Sequence, residues 1–324
     1  MNNLTEFDYQ TFEACFIDRQ LVEQAKLRRV DDFDGAELVG KTRKAGTDYG
    51  GIIFPYFLPE QAKAREYRLR RDKPDLEQKA DGSIKEKAKY LSPTGARNML
   101  YFPPNVKAEW LKDVSILVCL TEGEKKTLAL HRLALHGASV PRFLALGLSG
   151  VWNFRGTVGK TINANGARQD VKGLIADFQL IEWKNRQVTI VFDANVQTNE
   201  NVKIARNSLA KTLRELGAKV VCVDLPKETG INGIDDLLGH WERADGTETA
   251  VTKGLELLEN ISSDDENVET RIKPFPVPNE RCFYGLAGDS VACTCKGAEK
   301  GLVCYHAVSA LSLHIGLARQ RQTA

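Results

Sequence analysis

The sequence predicts an α/β protein built on a parallel sheet, with an α+β unit before it and a small metal-binding module after it. Three observations carry this. From about Lys112 onward, apolar runs of strand length alternate with helical stretches, the pattern that gives parallel strands joined by right-handed crossovers. Residues 1–110 instead mix one amphipathic stretch with short extended segments, two of them ended by proline. Near the end of the chain, Cys282, Cys293, Cys295 and Cys304 crowd together, four of the seven cysteines. The predicted units are therefore a basic α+β subdomain over 1–110, the parallel-sheet domain over 111–245, an acidic and proline-bearing linker over 246–279, and a cysteine-rich module over 280–324.

Composition is consistent with this division. A chain of 324 residues suits two or three domains. Lys and Arg number 45 against 43 Asp and Glu, and 42% hydrophobic with 27% charged residues is ordinary for a globular protein, which excludes a disordered or fibrous chain. No apolar run approaches the roughly 20 residues of a membrane span. MNNLTEFDYQ has neither the basic start nor the apolar core of a signal peptide. A cytoplasmic location is expected, where disulfides rarely persist. Cys15, Cys119 and Cys222, each alone in an apolar segment, read as small buried hydrophobes.

The elements follow in order. Thr11 to Arg29 reads as one amphipathic helix ending near Asp31 and Asp32. IIFPYF (Ile52 to Phe57) reads as a strand and EYRLR (Glu66 to Arg70) as its partner. Asp72 to Lys89 is polar and reads as a loop. KYLSP and LYFPP (Lys89 to Pro93, Leu100 to Pro104) are extended pieces ended by proline. SILVCL (Ser115 to Leu120) is a continuous apolar run of buried-strand type. TEGEKK and a helix to His136-Gly137 follow it. RFLALG (Arg142 to Gly147) and QVTIVF (Gln187 to Phe192) are the next strands. Asn201 to Leu216 is a helix with Val202, Ala205, Leu209, Leu213 and Leu216 on one face and Gly217 as its stop. AKVVCVDL (Ala218 to Leu225) is the fourth strand of this domain.

Ligands of open parallel sheets bind beyond the carboxyl ends of the strands. Glu122 follows the first strand, Asp193 the third, with Asn195 two residues on, and Asp235 and Asp236 come after the fourth. Such oxygen ligands suit Mg²⁺, which in turn suits phosphoryl chemistry. For any one of them the alternative is a helix N-cap, and DDLL is also a plausible helix start. A second cluster is basic: Arg65, Arg68, Arg70, Arg71, Lys73, Lys85, Lys87 and Lys89, interleaved with Tyr67, Tyr90, Tyr101 and Phe102. It reads either as a solvated face or as a surface for phosphates and unpaired bases. Trp152 and Arg155 are further candidate contacts. GTVGKT (Gly156 to Thr161) lacks the phosphate-loop spacing.

These residues carry a resemblance. TEGEKK with its helix, then VFDAN, resembles the Toprim domain, a Rossmann-like parallel sheet shared by bacterial primases, topoisomerases and some nucleases. GIIFPYF, YRLRRD, KYLSP and LYFPP resemble the N-terminal half of the catalytic core of DnaG-type primases. GLSGVWNF, WKNRQVTIVFDAN and NGIDDLL resemble a Toprim-like family of uncharacterised domains in phage and plasmid replication proteins. The likeness spans roughly residues 12–240. It implies that Glu122 is a general acid/base or metal ligand and that Asp193 holds Mg²⁺ (or Mn²⁺). The sequence departs from the Toprim Asp-x-Asp at Asn195, whose amide brings no negative charge; Asp235 and Asp236 are the candidates to compensate. In the primase-like reading Arg68, Arg70, Arg71, Lys85, Lys87, Lys89 and Tyr90 guide a single-stranded template.

The tail holds Cys293-Thr-Cys295 and Cys304-Tyr-His306. Three thiols and an imidazole are the donors of a closed structural Zn²⁺ site, which lends folding free energy to a short segment. The array resembles a SWIM zinc finger, with FYGLAGDSVA as the hairpin before it and AVSALSLHIGLA as the helix after it. Cys282 is a possible substitute ligand. The leading functional expectation is a primase-like protein of a mobile element, performing Mg²⁺-dependent nucleotidyl transfer on single-stranded DNA with any helicase supplied separately. The alternative is a DNA-binding accessory protein of phage or plasmid replication whose Toprim site has lost catalysis.

Overall fold

The structure is a computed structural model describing residues 3–79, 82–163, 166–226 and 230–259, together with the backbone of strands 284–287 and 290–293. The chain forms two compact units, Met1–Glu266 and Asn267–Ala324.

The first unit opens with helices α1 (Glu6–Glu13) and α2 (Arg19–Gln24), strand β1 (Arg28–Val30) and helix α3 (Asp32–Leu38). The single helix expected over Thr11 to Arg29 is therefore broken. Phe16 takes a positive φ of 59°, and the Asp18 side chain accepts from Leu21 N–H to start α2 afresh. Arg28 to Val30 is then drawn into a sheet by pairing with β2 (Gly51–Tyr56). β2 pairs with β3 (Glu66–Arg71), as expected from the apolar run of the one and the alternation of the other. The segment expected as a loop contains a second hairpin, β4 (Asp75–Gln78) with β5 (Ile84–Lys87). Its Leu76 and Ile84 are exposed, so it has no apolar face by which periodicity could announce it. β6 (Tyr90–Leu91) returns to pair with β3, giving the order β1-β2-β3-β6.

The second sheet is assembled from β7 (Leu100–Tyr101), β8 (Leu117–Glu122), β9 (Phe143–Leu148), β12 (Gln187–Val191) and β13 (Lys219–Val223), in the order β13-β12-β8-β9-β7. Four strands run parallel and β7 runs against β9. Its crossovers are α5 (Glu124–Leu135) and α6 (Glu200–Glu215), while α4 (Ala108–Lys112) leads into β8. Between β9 and β12 the chain inserts the hairpin β10 (Arg155–Ile162) and β11 (Arg168–Leu174) and a 3-10 turn, Ala176–Leu180. GTVGKT is thus strand, and sequence reading did not find this hairpin because most of its residues are exposed and polar.

Strand residues alternate between two cores. Cys119, Phe143, Ala145, Val191 and Val223 join α5 and the helices α7 (Ile234–Asp245) and α8 (Thr247–Glu259). Val118, Leu120, Leu144, Leu146 and Ile190 join α6 and Trp110, Phe178 and Trp183. Burial on both faces explains why the central strands read as unbroken apolar runs. The first core also takes Phe12, Phe16, Ile52, Phe54 and Tyr56, so the two sheets pack on the shared helix α5. The acidic stretch expected as a linker begins instead as α8. Ala250, Val251 and Gly254 are buried, and Gly254 lies so close to Leu133 and Leu238 that a Cβ would collide with them. The apolar stripe decided the helix, and the acidic residues are its solvent face. Residues 260–279 lie outside the described residues.

In the second unit, β14 (Tyr284–Ala287) pairs antiparallel with β15 (Ser290–Cys293), the hairpin expected from FYGLAGDSVA. Cys293 closes β15; Cys282, Cys295, Cys304 and His306 lie outside the described residues. Among the described residues no helix is long and apolar enough to cross a membrane.

Candidate functional site

From β8 the chain crosses to β9 on one side and later returns to β12 on the other side of β8. The crevice at the carboxyl ends of β8 and β12 is therefore the topological switch point of the sheet. Glu122 is the last residue of β8, opposite Leu148 in register. Gly123 turns the chain into α5 at φ +96°, donating its N–H to Leu148 O at 2.7 Å. Asp193 follows β12 and is buried; Asn232 Nδ2 donates to its Oδ2 at 2.9 Å. Asp235 is buried in the first turn of α7. Three carboxylates from three chain regions thus meet at one edge.

A lysine lies among them. Lys126, in the first turn of α5, places Nζ 3.1 Å from Asp193 Oδ1. Its stem passes over Gly233, where a Cβ would stand 2.3 Å from Lys126 Cε and 2.4 Å from Asp235 Oδ1. A side chain at this position would have to push the Lys126 stem or the Asp235 carboxylate aside. Burial works against the Lys126 charge, but Asp235, then Asp193 and Glu122, outweigh it and hold its pKa above the ordinary lysine value. Burial pushes the Glu122 carboxyl up, and the charge of Asp193 adds to this. Asp193 is raised chiefly by burial, with Lys126 pulling against it. Asp193 Oδ1 and Asp235 Oδ1 are buried without a hydrogen-bond donor, so the Lys126 contact with Asp193 is ionic rather than a well-formed hydrogen bond.

A second lysine extends the cluster. Lys125 Nζ lies 3.7 Å from Asp235 Oδ2 and 2.8 Å from Cys15 Sγ. Burial raises the Cys15 thiol pKa. Asp236 serves the helix start, its Oδ2 accepting from Gly233 N–H at 3.3 Å, and its Oδ1 lies 3.8 Å from Cys15 Sγ. Among the described residues, the group of His, Cys, Asp and Glu donors gathered within 4.8 Å is Cys15, Asp235 and Asp236; Glu122 and Asp193 are not in it. Asn195 is exposed in the short turn Ala194–Gln197, apart in burial from Asp193. Glu122, Asp193 and Asp235 are hard-oxygen donors, Asp235 Oδ1 has no hydrogen-bond donor and Asp193 Oδ1 has only the Lys126 contact, which suits a divalent ion. In this arrangement the ammonium of Lys126 supplies the counter-charge, so an ion would have to displace it. Sequence reading singled out the acids and passed over Lys125 and Lys126, although both stand in the same TEGEKK segment.

The basic residues divide. Arg68 Nη1 donates to Glu124 Oε1 at 2.9 Å, Tyr56 OH donates to the same oxygen at 2.5 Å, and the guanidinium lies 4.8 Å from the Tyr90 ring centre. Arg71 is 1% exposed and holds Asp48 O, Ala88 O and Asp75. Burial and internal bonding take Arg71 out of reach of a template, correcting the expectation for that residue. Arg70 is half-buried, opposite Tyr90 in the β3–β6 register. Lys85 is exposed, and Lys87 and Lys89 pair with Glu77 and Glu86.

Residues 108–243 match the profile of a domain of unknown function, DUF3854. The fold is similar to the crystal structure of the Aquifex aeolicus primase (zinc-binding and RNA polymerase domains), at 13% identity and a TM-score of 0.44, covering 77% of this chain. The chain spans 56% of that protein's solved length. No curated protein matches the chain.

Proposed function

We propose that this chain is a primase-like nucleic-acid protein of Toprim type, working at the carboxyl edge of its parallel sheet by metal-dependent nucleotidyl transfer on single-stranded DNA. One observation carries the reading: buried Asp193 and Asp235 and half-buried Glu122 converge on the switch point around Lys126. Such convergence costs desolvation and like-charge repulsion that a purely structural edge has no reason to bear. Glu122, with its raised pKa, is suited to take a proton from an attacking hydroxyl and release it. Asp193 and Asp235 would hold Mg²⁺ or Mn²⁺, which supplies charge neutralisation at phosphate oxygens. Lys126, once moved off Asp193, offers its ammonium to a phosphate. The place in phage or plasmid replication rests on the sequence resemblance alone.

The test is primer synthesis on single-stranded DNA with Mg²⁺ or Mn²⁺. The wild-type chain should extend primers, and Glu122→Gln should reduce the rate by about 10²-fold or more, the scale of a lost general base. Equal rates in the two proteins would remove Glu122 from the chemistry. A second reading, an accessory DNA-binding protein without catalysis, is favoured by the Lys126 ion pair and by the exposed, uncharged Asn195. It expects DNA binding with no synthesis in either protein.

The tail is proposed to hold Zn²⁺ through Cys293, Cys295, Cys304 and His306, on the strength of donor chemistry and spacing. Metal analysis of chelator-free protein should find about one zinc per chain, the content of one four-ligand site. Zinc-free protein with a protease-resistant tail would end this proposal.

A further inference from the structure

We propose that the groove beside the β10–β11 hairpin is a track for a single strand of nucleic acid, with a base stacked on Trp152 and phosphates held by Arg97, Arg155 and Lys160. The inference rests on the reading of the chain as a nucleic-acid protein and moves the template path away from the β3 arginines.

The groove encloses 1220 Å³ and is lined by Arg65, Arg97, Arg155, Lys160 and Lys172, with Asp177 as its acid. Asp177 is already neutralised: Arg65 grips both its oxygens, at 2.7 and 2.5 Å, and Leu100 N–H donates to it. Lys172 is engaged with Asp170 at 3.4 Å, and Lys160 lies across the hairpin from the same aspartate. Arg97 and Arg155 are exposed, and among the described residues no acid lies within ion-pair distance of either. The excess charge of this wall is positive.

Charge alone would fit any polyanion; Trp152 narrows the choice. Its side chain is 41% exposed within this basic groove, while Trp110 and Trp183 are buried. The ring is braced from below, stacked at 23° and 6.1 Å on the fully buried Phe154. A braced aromatic face left open in the same groove as two unpaired arginines is the arrangement that stacks a base while cations track the backbone. Val158, 56% exposed, adds an apolar wall to the groove. The frame is fixed by Asn98 Nδ2 donating to Arg155 O at 2.7 Å and by Ile175 N–H donating to Phe154 O. A duplex keeps its base faces covered, so the stacking site selects an unpaired strand. The position agrees with the proposed chemistry: Trp152 stands on the loop leaving β9 after Leu148, the residue in register with Glu122.

The experiment is a titration of the full chain with oligo-dT, read by intrinsic tryptophan fluorescence and by anisotropy of a labelled strand at several salt concentrations. Binding should quench tryptophan emission in the wild type, and Trp152→Phe should keep most of the affinity while losing the quench. Trp152→Ala should weaken binding about ten-fold or more, the worth of one stacked base. Arg97→Ala with Arg155→Ala should lower the salt slope by about 0.7 for each phosphate contact removed. Wild-type affinity and slope in all three variants would overturn the groove and leave the nucleic-acid reading standing. Failure of the wild type to bind oligo-dT would overturn both. Equal binding of a blunt duplex, without quench, would reduce the groove to a charged surface and overturn the stacking site. Binding of an acidic peptide in preference to oligo-dT would also overturn it.

Discussion

Lys126→Met should destabilise the folded protein by roughly 3 kcal/mol at neutral pH, and Mg²⁺ should restore part of that loss in the variant while doing little for the wild type. Methionine keeps the apolar stem that lies over Gly233 and removes only the charge. Asp193 then loses its ion-pair partner, Asp235 keeps only Lys125 at 3.7 Å, and Glu122 adds like charge beside them, while two of these acids' oxygens already lack a hydrogen-bond donor. A buried charge stripped of its partner typically costs several kcal/mol, unlike an exposed pair. The pH dependence has a definite sign. Glu122 and Asp193 already have pKa values above their ordinary ones, and removing the cation raises them further. An acid whose folded pKa exceeds its unfolded pKa binds protons more readily when folded, so its destabilising ionisation fades as the pH falls towards the unfolded value. The deficit of the variant should therefore shrink in mild acid. Thermal denaturation with and without Mg²⁺ measures all of this, with an expected loss of about 6–12 °C in Tm at neutral pH. A variant as stable as wild type and indifferent to Mg²⁺ would mean that Lys126 is not the counter-ion of this site.

Arg68→Ala should also cost roughly 3 kcal/mol, and should leave the salt dependence of DNA binding unchanged in whatever protein remains folded. The Arg68 side chain is 14% exposed and the Glu124 side chain 1%, and no other cation is bonded to Glu124 among the described residues. Burial opposes the Arg68 charge, but Glu124 outweighs it and holds its pKa above the ordinary value. The pair joins β3 of the first sheet to the start of α5 under the second, with Tyr56 OH completing the bond set. Its loss leaves a carboxylate stranded at the junction of the two sheets. A double-mutant cycle of Arg68→Met with Glu124→Gln reads the coupling directly, and the double variant should lose much less than the sum of the singles. Additive losses together with a lower salt slope would return Arg68 to the role that charge density alone suggests, a contact for phosphate.

Much of the parallel sheet was legible in the chain. SILVCL, RFLALG, QVTIVF and AKVVCVDL are apolar on both faces because both faces are covered, and that composition survives in one dimension. Their order put Glu122 and Asp193 at carboxyl ends, and Asp235 follows the fourth strand, so an acidic edge could be expected from the order of segments. What remained hidden depends on which segments dock. Arg68 and Arg71 look like surface charge in a basic run, yet one closes an inter-sheet ion pair and the other is buried in backbone bonds. Helix α8 was masked by its acidic face, and the β10–β11 hairpin by having almost no buried face at all. Lys126 is the clearest case. Its place in TEGEKK says only that it lies in the first turn of a helix. Its position among three carboxylates follows from the turn at Gly123, the close passage over Gly233 and the docking of α7. The order of segments is enough to say where negative charge collects; what neutralises it emerges only on folding, because a counter-ion is chosen by distance in space and burial, neither of which a linear pattern encodes.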